Sequence, residues 1–298
     1  MLQYVEAFCA VVDSGSINYA AERLHLSQPA LSKQIRALEA ELGVQLLVRS
    51  SRGVELTPVG RRVYRLARRA LAVEAGCRRA AAAWRDPWSG RLTIGAGLTL
   101  TLFTLPPVIQ TFRERVPDVR LELLTGDSRE SLARLLAFEV DVALVTSPVP
   151  HPEVQAVPLF VDPLVVVAAP GTVLPREIPE LGGAALISFR RGSGLRQYVD
   201  QVLESHGARP DVVMEFDSIE AIKTMAGLGL GLALLPLSAV REEVAAARLT
   251  MTRLPDWPDA GRTVTLLRRR AGLRSGAVSL FTAIAREVVG GERRSPPS

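Results

Sequence analysis

The sequence predicts an α/β protein in which a small, mainly helical N-terminal region precedes a larger region of alternating strands and helices. Apolar residues recur at helical spacing through the first part of the chain, and short apolar runs separated by helical stretches follow. The chain has 36 basic and 31 acidic residues, of which 13 and 8 lie in residues 1–89, so this region carries the whole net charge of +5. With 298 residues, 48% of them hydrophobic, the chain is long enough for two or three domains.

Residues 14–43 predict two helices joined by a tight turn at His25. Ser27 is a favourable N-cap for the second helix, and Pro29 suits its first turn because the missing N–H costs nothing there. Gly43 is a favourable residue for the end of this helix. The pattern therefore indicates a helix-turn-helix.

The second helix has one apolar face and one polar, basic face. The positions spaced for burial are Ala30, Leu31, Ile35, Leu38 and Leu42. The positions predicted to contact DNA are Ser27, Gln28, Pro29, Ser32, Lys33 and Arg36. Such a helix suits the major groove, because its exposed face offers amide, hydroxyl and cationic groups to base edges and phosphates. An ordinary amphipathic helix pair has the same spacing, so the flanking residues decide between the two interpretations.

The flanking residues favour DNA binding. A short hairpin is predicted from Leu46–Arg49 and Val54–Leu56, joined through residues 50–53. Arg49 and Arg52 lie beside its tip, where a two-stranded wing contacts phosphates or the minor groove. The basic excess of the same region is independent support, because phosphate contacts require positive charge.

Thr57 and Pro58 begin a long predicted helix that extends through residue 85. Its apolar residues alternate at steps of three and four, a heptad pattern that favours pairing with a helix of a second chain. The heptad positions are Val59, Val63, Leu66, Ala70, Val73, Cys77, Ala80 and Trp84. Packing against the chain's own surface is the alternative. The segment Asp86–Gly90 is typical of a break between domains.

These N-terminal residues resemble the winged helix-turn-helix of the LysR-type transcriptional regulators, a bacterial family. The resemblance is carried, with unbroken spacing, by Ser14–Ser16, Ala20-Ala21, Ser27–Ser32, Leu42-Gly43 and Leu56–Gly60. Leu47 stands where the family usually has Phe, which keeps a large apolar group. The resemblance implies a regulator that binds double-stranded DNA at an interrupted palindrome. It also implies a homodimer through the linker helix, a homotetramer, and contact with RNA polymerase.

Residues 90–298 predict two α/β lobes. The first lobe is expected to contain strands at 92–96, 119–124 and 140–145, helices at 101–116 and 130–138, and a connection at 146–161. The second is expected to contain strands at 164–168, 185–188, 212–216, 230–235, 249–254 and 263–267, and a final helix at 275–289 returns to the first lobe. This half resembles the family's effector domain, which is similar to periplasmic solute-binding proteins.

The expected domain bounds follow from these patterns and the resemblance. They are 1–58 for the DNA-binding domain, 59–89 for the linker and dimerisation helix, and 90–298 for the effector-binding domain. Within the last of these, lobe I is expected at 90–161 plus 270–298, and lobe II at 162–269. Two lobes joined by two crossings form a cleft, and such clefts bind small molecules.

The resemblance indicates which residues line this cleft. The predicted effector-binding residues are Thr99, Leu100, Thr101, Ser128, Thr146, Phe189, Ser193 and Gly194, with Arg190 or Arg196 nearby. Their hydroxyl, backbone N–H and arginine groups predict a small, anionic metabolite as the effector. Each Ser or Thr could instead be only a helix cap.

Other functions fit the sequence less well. His25, His151 and His206 have no partner at metal-ligand or triad spacing, so neither an enzyme nor a metal or other cofactor is expected. Cys9 and Cys77 are not expected to form a disulfide. The N-terminus does not resemble a signal peptide and no apolar run could span a bilayer, which predicts a cytoplasmic protein with no membrane partner.

Two further interpretations stand beside the ligand-responsive regulator. One is a solute-binding protein with an added N-terminal domain, which the basic helix-turn-helix and the lack of an export signal disfavour. The other is a ligand-independent DNA-binding or architectural regulator with a vestigial cleft. The sequence leaves this second alternative open.

Overall fold

The computed structural model describes residues 1–50, 53–85, 90–146, 150–258, 262–270 and 276–291. The chain divides into two compact units, one formed by Met1–Ala82 with Ala137–Glu139 and the other by Ala83–Leu136 with Val140–Ser298. Within the described residues, no helix combines the length and the apolar character that crossing a membrane requires.

The N-terminal unit confirms the predicted helix-turn-helix, hairpin and long helix. Its elements are α1 (Leu2–Ser14), α2 (Ile17–Arg23), α3 (Gln28–Leu42), β1 (Leu47–Ser50), β2 (Gly53–Leu56) and α4 (Pro58–Arg85). Phe8, Leu31 and Leu38 are fully buried in one apolar core. The helical spacing of apolar residues predicted the burial of Leu31 and Leu38. Leu42, also expected to face inward, is 40% exposed because it is the last residue of α3.

The long helix α4 uses two of its faces differently. Ala67 is buried in the N-terminal core, and Val63 and Leu71 pack against that core. Leu66 and Val73 are 63% and 42% exposed. One face of α4 therefore packs on the chain's own core, as the alternative interpretation expected. A second face keeps exposed apolar side chains, including Leu66 and Val73. Ala80 and Trp84 belong to α4, but their side chains lie outside the described part.

Gly60 fixes the start of α4 against the hairpin. A Cβ at this position would lie 2.1 Å from the backbone oxygen of Leu46, so any larger residue would displace backbone. Thr57 stands immediately before the helix, and its Oγ1 accepts a hydrogen bond from the Gly60 N–H at 2.9 Å. The predicted Thr57-Pro58 helix start is therefore confirmed, and it places α4 directly after the hairpin.

Lobe I of the C-terminal unit is built on a five-stranded sheet in the order β4-β3-β5-β12-β6. Its strands are β3 (Gly90–Ala96), β4 (Val119–Thr125), β5 (Val142–Val145), β6 (Val154–Val161) and β12 (Thr263–Arg269). Its helices are α5 (Leu98–Phe103), α6 (Leu105–Arg115), α7 (Ser128–Leu136) and α11 (Gly276–Gly291).

Three expectations for lobe I were wrong. The single helix expected at 101–116 is two helices that meet at Thr104, because Pro106 and Pro107 suit the first turn of a new helix and not an interior. The expected connection at 146–161 contains strand β6, and this edge position tolerates Pro158. Strand β12, assigned to lobe II within 162–269, pairs with β5 and β6 in the lobe I sheet.

Lobe II is built on a second five-stranded sheet, in the order β11-β7-β10-β8-β9. Its strands are β7 (Leu164–Ala168), β8 (Ala185–Phe189), β9 (Asp211–Phe216), β10 (Leu232–Pro236) and β11 (Thr250–Thr252). Its helices are α8 (Gly194–Ser205), α9 (Ile219–Gly227) and α10 (Leu237–Ala245). The predicted alternation of strands and helices is confirmed here.

The strand directions show which edge of each sheet the chain crosses. In lobe I, β3 and β5 are parallel and end at Ala96 and Val145, and antiparallel β12 begins at the same edge, with Thr263 opposite Val161 of β6. In lobe II, β8 and β10 are parallel and end at one edge, where β7 begins. Both crossings, after β6 and before β12, therefore leave from the edges at which the parallel strands end, the usual ligand-binding edges of α/β sheets.

Candidate functional site

Helix α3 presents the predicted DNA-contacting residues on its outer face. Ser27 is the N-cap, and its Oγ accepts a hydrogen bond from the Ala30 N–H at 3.4 Å. Buried Leu31 holds the opposite face in the core. The polar set is exposed at Ser27, Gln28, Pro29, Lys33 and Arg36 and half-buried at Ser32.

The side chains on this face have few partners within the N-terminal unit. Gln28 Nε2 donates to Ser32 Oγ at 2.9 Å. The ion pairs of the described residues include neither Lys33 nor Arg36. Two cations and an amide–hydroxyl pair therefore remain available to an external partner, as phosphate contact and base recognition require.

Glu39 ties the hairpin to α3, although no role was predicted for it. Its Oε1 accepts hydrogen bonds from the backbone N–H groups of Leu46 and Leu47 at 2.8 and 3.1 Å. The backbone of Arg49 lies in β1, opposite Val54. Arg52, predicted beside the hairpin tip, lies outside the described residues. The helix and the wing are thus held together by a side chain that sequence spacing alone would place on a solvated face.

The predicted lobe I residues differ in what they can offer a ligand. Thr99 is half-buried in the first turn of α5. Leu100 is 2% exposed and belongs to the lobe I core, so only its backbone is left for a ligand. Thr101 Oγ1 donates to the Gly97 oxygen at 3.1 Å, which stabilises the helix start. For Thr101, the simple structural alternative is therefore supported.

Ser128 and Thr146 come together at the edge where the lobe I strands end. Thr146 follows β5, and its backbone N–H donates to Ser128 Oγ, at the start of α7, at 3.4 Å. Both residues are half-buried. Their contact joins two turns that are separated in sequence, as a site built from several strand ends requires.

In lobe II, Phe189 ends β8 and packs against the apolar cluster of that lobe. Ser193 is the N-cap of α8, and its Oγ accepts from the Arg196 N–H at 3.2 Å. Gly194 begins α8 and is exposed. The three predicted residues are therefore consecutive parts of one strand–turn–helix, with the Ser193 hydroxyl already used as a cap.

The two arginines expected near this turn are neutralised by carboxylates. Arg196 is 5% exposed, and its guanidinium contacts Asp200 at 2.7 Å and Glu215 at 2.8 Å. Burial alone would lower the pKa of Arg196, but these hydrogen bonds outweigh it and raise that pKa; they also lower the pKa of Glu215. Arg190 pairs with Asp217 at 3.0 Å. Neither side chain is an uncompensated cation.

The two crossings between the lobes are joined by residues that had no predicted role. Arg262 Nε donates to the Asp162 backbone oxygen at 3.2 Å, and the Asp162 N–H donates to the Arg262 oxygen at 3.1 Å. The Asp162 carboxylate accepts from the N–H and the hydroxyl of Ser238 at 3.0 and 2.7 Å. Asp162 and Arg262 lie 100 positions apart, so no local pattern could have paired them.

Two further observations bound the chemistry of the described residues. They contain no group of three His, Cys, Asp or Glu side chains that could hold a metal ion. A depression of about 520 Å³ lies on α6, and no predicted effector-binding residue lines it. The residues around it are Pro106, Ile109, Gln110, Arg113, Glu114 and Pro117.

Family models match nearly the whole chain. Residues 2–61 match the bacterial regulatory helix-turn-helix protein, lysR family, and residues 85–290 match the LysR substrate binding domain. The chain is 33% identical over 283 residues to YeiE of Escherichia coli K12, an uncharacterized HTH-type transcriptional regulator, covering 94% of this chain and 95% of that protein. It is 28% identical to the HTH-type transcriptional regulator GltR of Bacillus subtilis, covering 96% of each.

Solved structures show the same fold. A full-length OxyR variant from Pseudomonas aeruginosa is similar with a TM-score of 0.74 at 26% identity, covering 100% of this chain and 99% of that one. Full-length CbnR complexed with its target DNA gives a TM-score of 0.71 at 24% identity, covering 96% of this chain and 99% of that one.

Proposed function

The chain belongs to the LysR family of DNA-binding transcriptional regulators, which are not enzymes, and we propose that a small anionic metabolite between its two lobes modulates its promoter binding or DNA bending. The effector-binding domain is part of the family assignment. The nature of the effector and the residues that bind it are the proposal. The observation that carries it is the convergence of strand ends from both sheets at the two crossings.

For DNA, we propose that α3 lies in the major groove with Ser32 and Arg36 at base edges and Arg49 and Arg52 on phosphates. Ser32→Ala or Arg36→Ala should then weaken operator binding more than binding to random DNA, because base contacts carry the discrimination. Arg49→Ala should weaken binding to operator and to random DNA alike. It should also reduce by about 1 the slope of the logarithm of the binding constant against the logarithm of the salt concentration. Fluorescence anisotropy on operator and scrambled duplexes across a salt series measures both. Equal losses for Ser32→Ala and Arg36→Ala would remove these residues from base readout.

For assembly, we propose a homodimer through α4 that binds an interrupted palindrome, and a homotetramer that contacts RNA polymerase. The exposed apolar side chains of Leu66 and Val73 support the dimer, because a partner helix would cover them. The proposed domain bounds are those expected from the sequence, with β12 moved to lobe I. Leu66→Asp should shift the molar mass in light scattering toward the monomer, and an unchanged mass would contradict the proposed interface.

For the effector, we propose that Thr99, Ser128 and Thr146 act together with the turn from Phe189 to Gly194. The contact between Ser128 and Thr146 supports this set. Thr99→Val, which keeps the shape and removes the hydroxyl, should preserve DNA binding and abolish the response to the effector. Footprinting on the intergenic DNA upstream of the gene that encodes this protein, with and without pooled metabolites, tests the response. A normal response in the variant would contradict the assignment of Thr99.

A ligand-independent regulator is the second candidate. It is favoured by the hydroxyls of Thr101 and Ser193, which are already engaged in helix-start hydrogen bonds. If no metabolite pool alters the footprint of the wild-type protein, this candidate is preferred.

A further inference from the structure

Buried cations in the C-terminal unit are compensated in two different ways. The cationic side chains that are at least nine-tenths buried among the described residues are Arg196, Lys223 and Arg262. Arg196 contacts two carboxylates, as described above, and Lys223 Nζ contacts Glu220 and Glu243 at 2.9 and 2.8 Å. A buried charge is stable only when nearby acceptors compensate it, and for these two residues carboxylates do so.

Arg262 is the exception. Only 7% of its surface is exposed, yet the ion pairs of the described residues do not include it. Its Nε donates to a backbone oxygen and not to a carboxylate. Burial lowers the pKa of Arg262, and the attraction of Asp162 and Tyr198 does not offset that effect. Among the described residues, the guanidinium is therefore compensated by the Asp162 backbone oxygen and by nearby acidic groups, and not by an ion pair of the kind that Arg196 and Lys223 form.

Asp162 is already committed elsewhere. It is fully buried, and its two carboxylate oxygens accept hydrogen bonds from Ser238 at the start of α10. Asp162 therefore attracts Arg262 through its charge, and the Arg262 Nε donates to its backbone oxygen rather than to its carboxylate.

The position of Arg262 agrees with a ligand-binding role. It immediately precedes β12, whose first residue lies at the edge where β3 and β5 end. That is the edge of Thr99, Ser128 and Thr146, and the crossing leads to the edge of lobe II at which Phe189 ends β8. Arg262 thus stands at the crossing between both groups of predicted effector-binding residues.

We propose that the Arg262 guanidinium is the anion-binding group of the interlobe site and holds a carboxylate or phosphate of the effector. The proposal rests on the effector site proposed above and names its charge determinant. A planar guanidinium presents two parallel N–H donors to such an anion, and the pairing is strongest where water is excluded. An anion bound there would supply the compensation that Asp200 and Glu215 supply to Arg196.

The test is the thermal unfolding midpoint of the full-length protein with small anions as probes. Succinate and inorganic phosphate are each compared with sodium chloride at equal ionic strength, and succinamide is the neutral counterpart of succinate. Binding to the native state raises the midpoint. We expect at least one of the two anions, but not succinamide, to stabilise the wild type, and the better probe distinguishes a carboxylate from a phosphate site.

Variants of Arg262 and of a control arginine test whether the anion binds at Arg262. Arg262→Gln should weaken the apparent affinity for the stabilising anion by about tenfold or more, because a charge-assisted bidentate pair is lost. Arg115→Gln, which removes a cation that already contacts Glu287 at 2.9 Å outside the proposed site, is the matched control and should respond as the wild type does. General exclusion of anions from the surface acts alike on all variants and cancels in the comparison. If Arg262→Gln does not fold, Arg262→Lys keeps the charge without the fork, and weaker anion binding is again expected.

Two outcomes would overturn the proposal: equal stabilisation of the wild type and the Arg262 variants, or no stabilisation of the wild type by either anion beyond chloride. Footprinting separates this failure from failure of the proposed function. A metabolite-dependent footprint that persists in Arg262→Gln would support the proposed regulation and contradict the assignment of Arg262 as the anion-binding group. Anion binding through Arg262 without any metabolite-dependent footprint supports the site and contradicts the proposed regulation.

Discussion

The outer face of α3 and the strand ends around the lobe crossings contrast in how they hold their polar groups. On α3, Lys33 and Arg36 are exposed and have no ion-pair partner among the described residues. Around the crossings, Arg196 and Ser193 are already engaged with neighbours from their own lobe. The first surface presents exposed cations to a large polyanion, whereas at the second most polar groups already have partners, and Arg262 differs from Arg196 in having a backbone oxygen as its acceptor.

The two units should also lose stability independently of each other, and substitutions in their apolar cores should have the largest effect on the free energy of unfolding. Phe8 and Phe281 are both fully buried, each in edge-to-face contact with another ring, Tyr64 and Phe112 respectively. Truncation to Ala should cost about 3–5 kcal/mol in either core. We expect Phe8→Ala to lower the unfolding free energy of the N-terminal unit and to weaken DNA binding, and Phe281→Ala to act on the C-terminal unit and its ligand response.

Calorimetry together with DNA-binding measurements checks this separation. The matched variants Phe8→Leu and Phe281→Leu keep most of the apolar volume and should cost less than about 1.5 kcal/mol. If either Ala substitution lowers both transitions equally, the units unfold as one, and the contrast drawn above would not extend to stability.

The two regions also differ in how far their structure could be predicted from the sequence. Residues 14–60 are contiguous, and caps such as Ser27 and Thr57 act on helices directly beside them, so pattern and spacing were sufficient. Strand β12 was misassigned because its partners, β5 and β6, lie more than a hundred residues earlier, and local hydrophobicity does not distinguish one sheet from another. The hydrogen bond between Arg262 and Asp162 was missed for the same reason.

A medium effect is expected from the buried ion pair of lobe II, and it depends on pH. Burial alone would raise the pKa of Glu243, but hydrogen bonding from Lys223 outweighs it, so that pKa lies below the ordinary value of 4.5. Burial alone would lower the pKa of Lys223, but its bonds to Glu220 and Glu243 hold it above 10.5. Glu243 therefore contributes stability above pH 4.5 that is lost as the pH falls through its folded value. Lys223 contributes stability below pH 10.5 that is lost as the pH rises through its folded value.

Glu243→Gln should lower the stability of the C-terminal unit by about 1–2 kcal/mol near neutral pH, because buried Lys223 keeps only one carboxylate partner. The loss of stability in acid should also become shallower. Urea unfolding followed from pH 3 to 8 measures both. Glu220→Gln is the control: its side chain is 58% exposed, so a smaller change is expected. An unchanged acid profile in Glu243→Gln would mean that the pair does not stabilise lobe II, and a changed profile of the N-terminal unit would contradict the separation of the units.

The smallest expected effect compares two helix caps with the same chemistry. Ser27 caps α3, with its Oγ accepting from the Ala30 N–H at 3.4 Å, and Ser193 caps α8, with its Oγ accepting from the Arg196 N–H at 3.2 Å. Substitution by Ala should cost about 0.5–1 kcal/mol in each case, because one backbone N–H loses its acceptor. Only Ser27→Ala should also weaken DNA binding, since it disorders the end of α3 proposed to enter the groove, whereas Ser193→Ala should alter anion binding alone. Chemical denaturation and anisotropy on the same samples measure the two consequences. Reduced operator affinity in Ser193→Ala at unchanged anion binding would show that the turn of lobe II influences DNA binding without a ligand, and would favour the ligand-independent regulator.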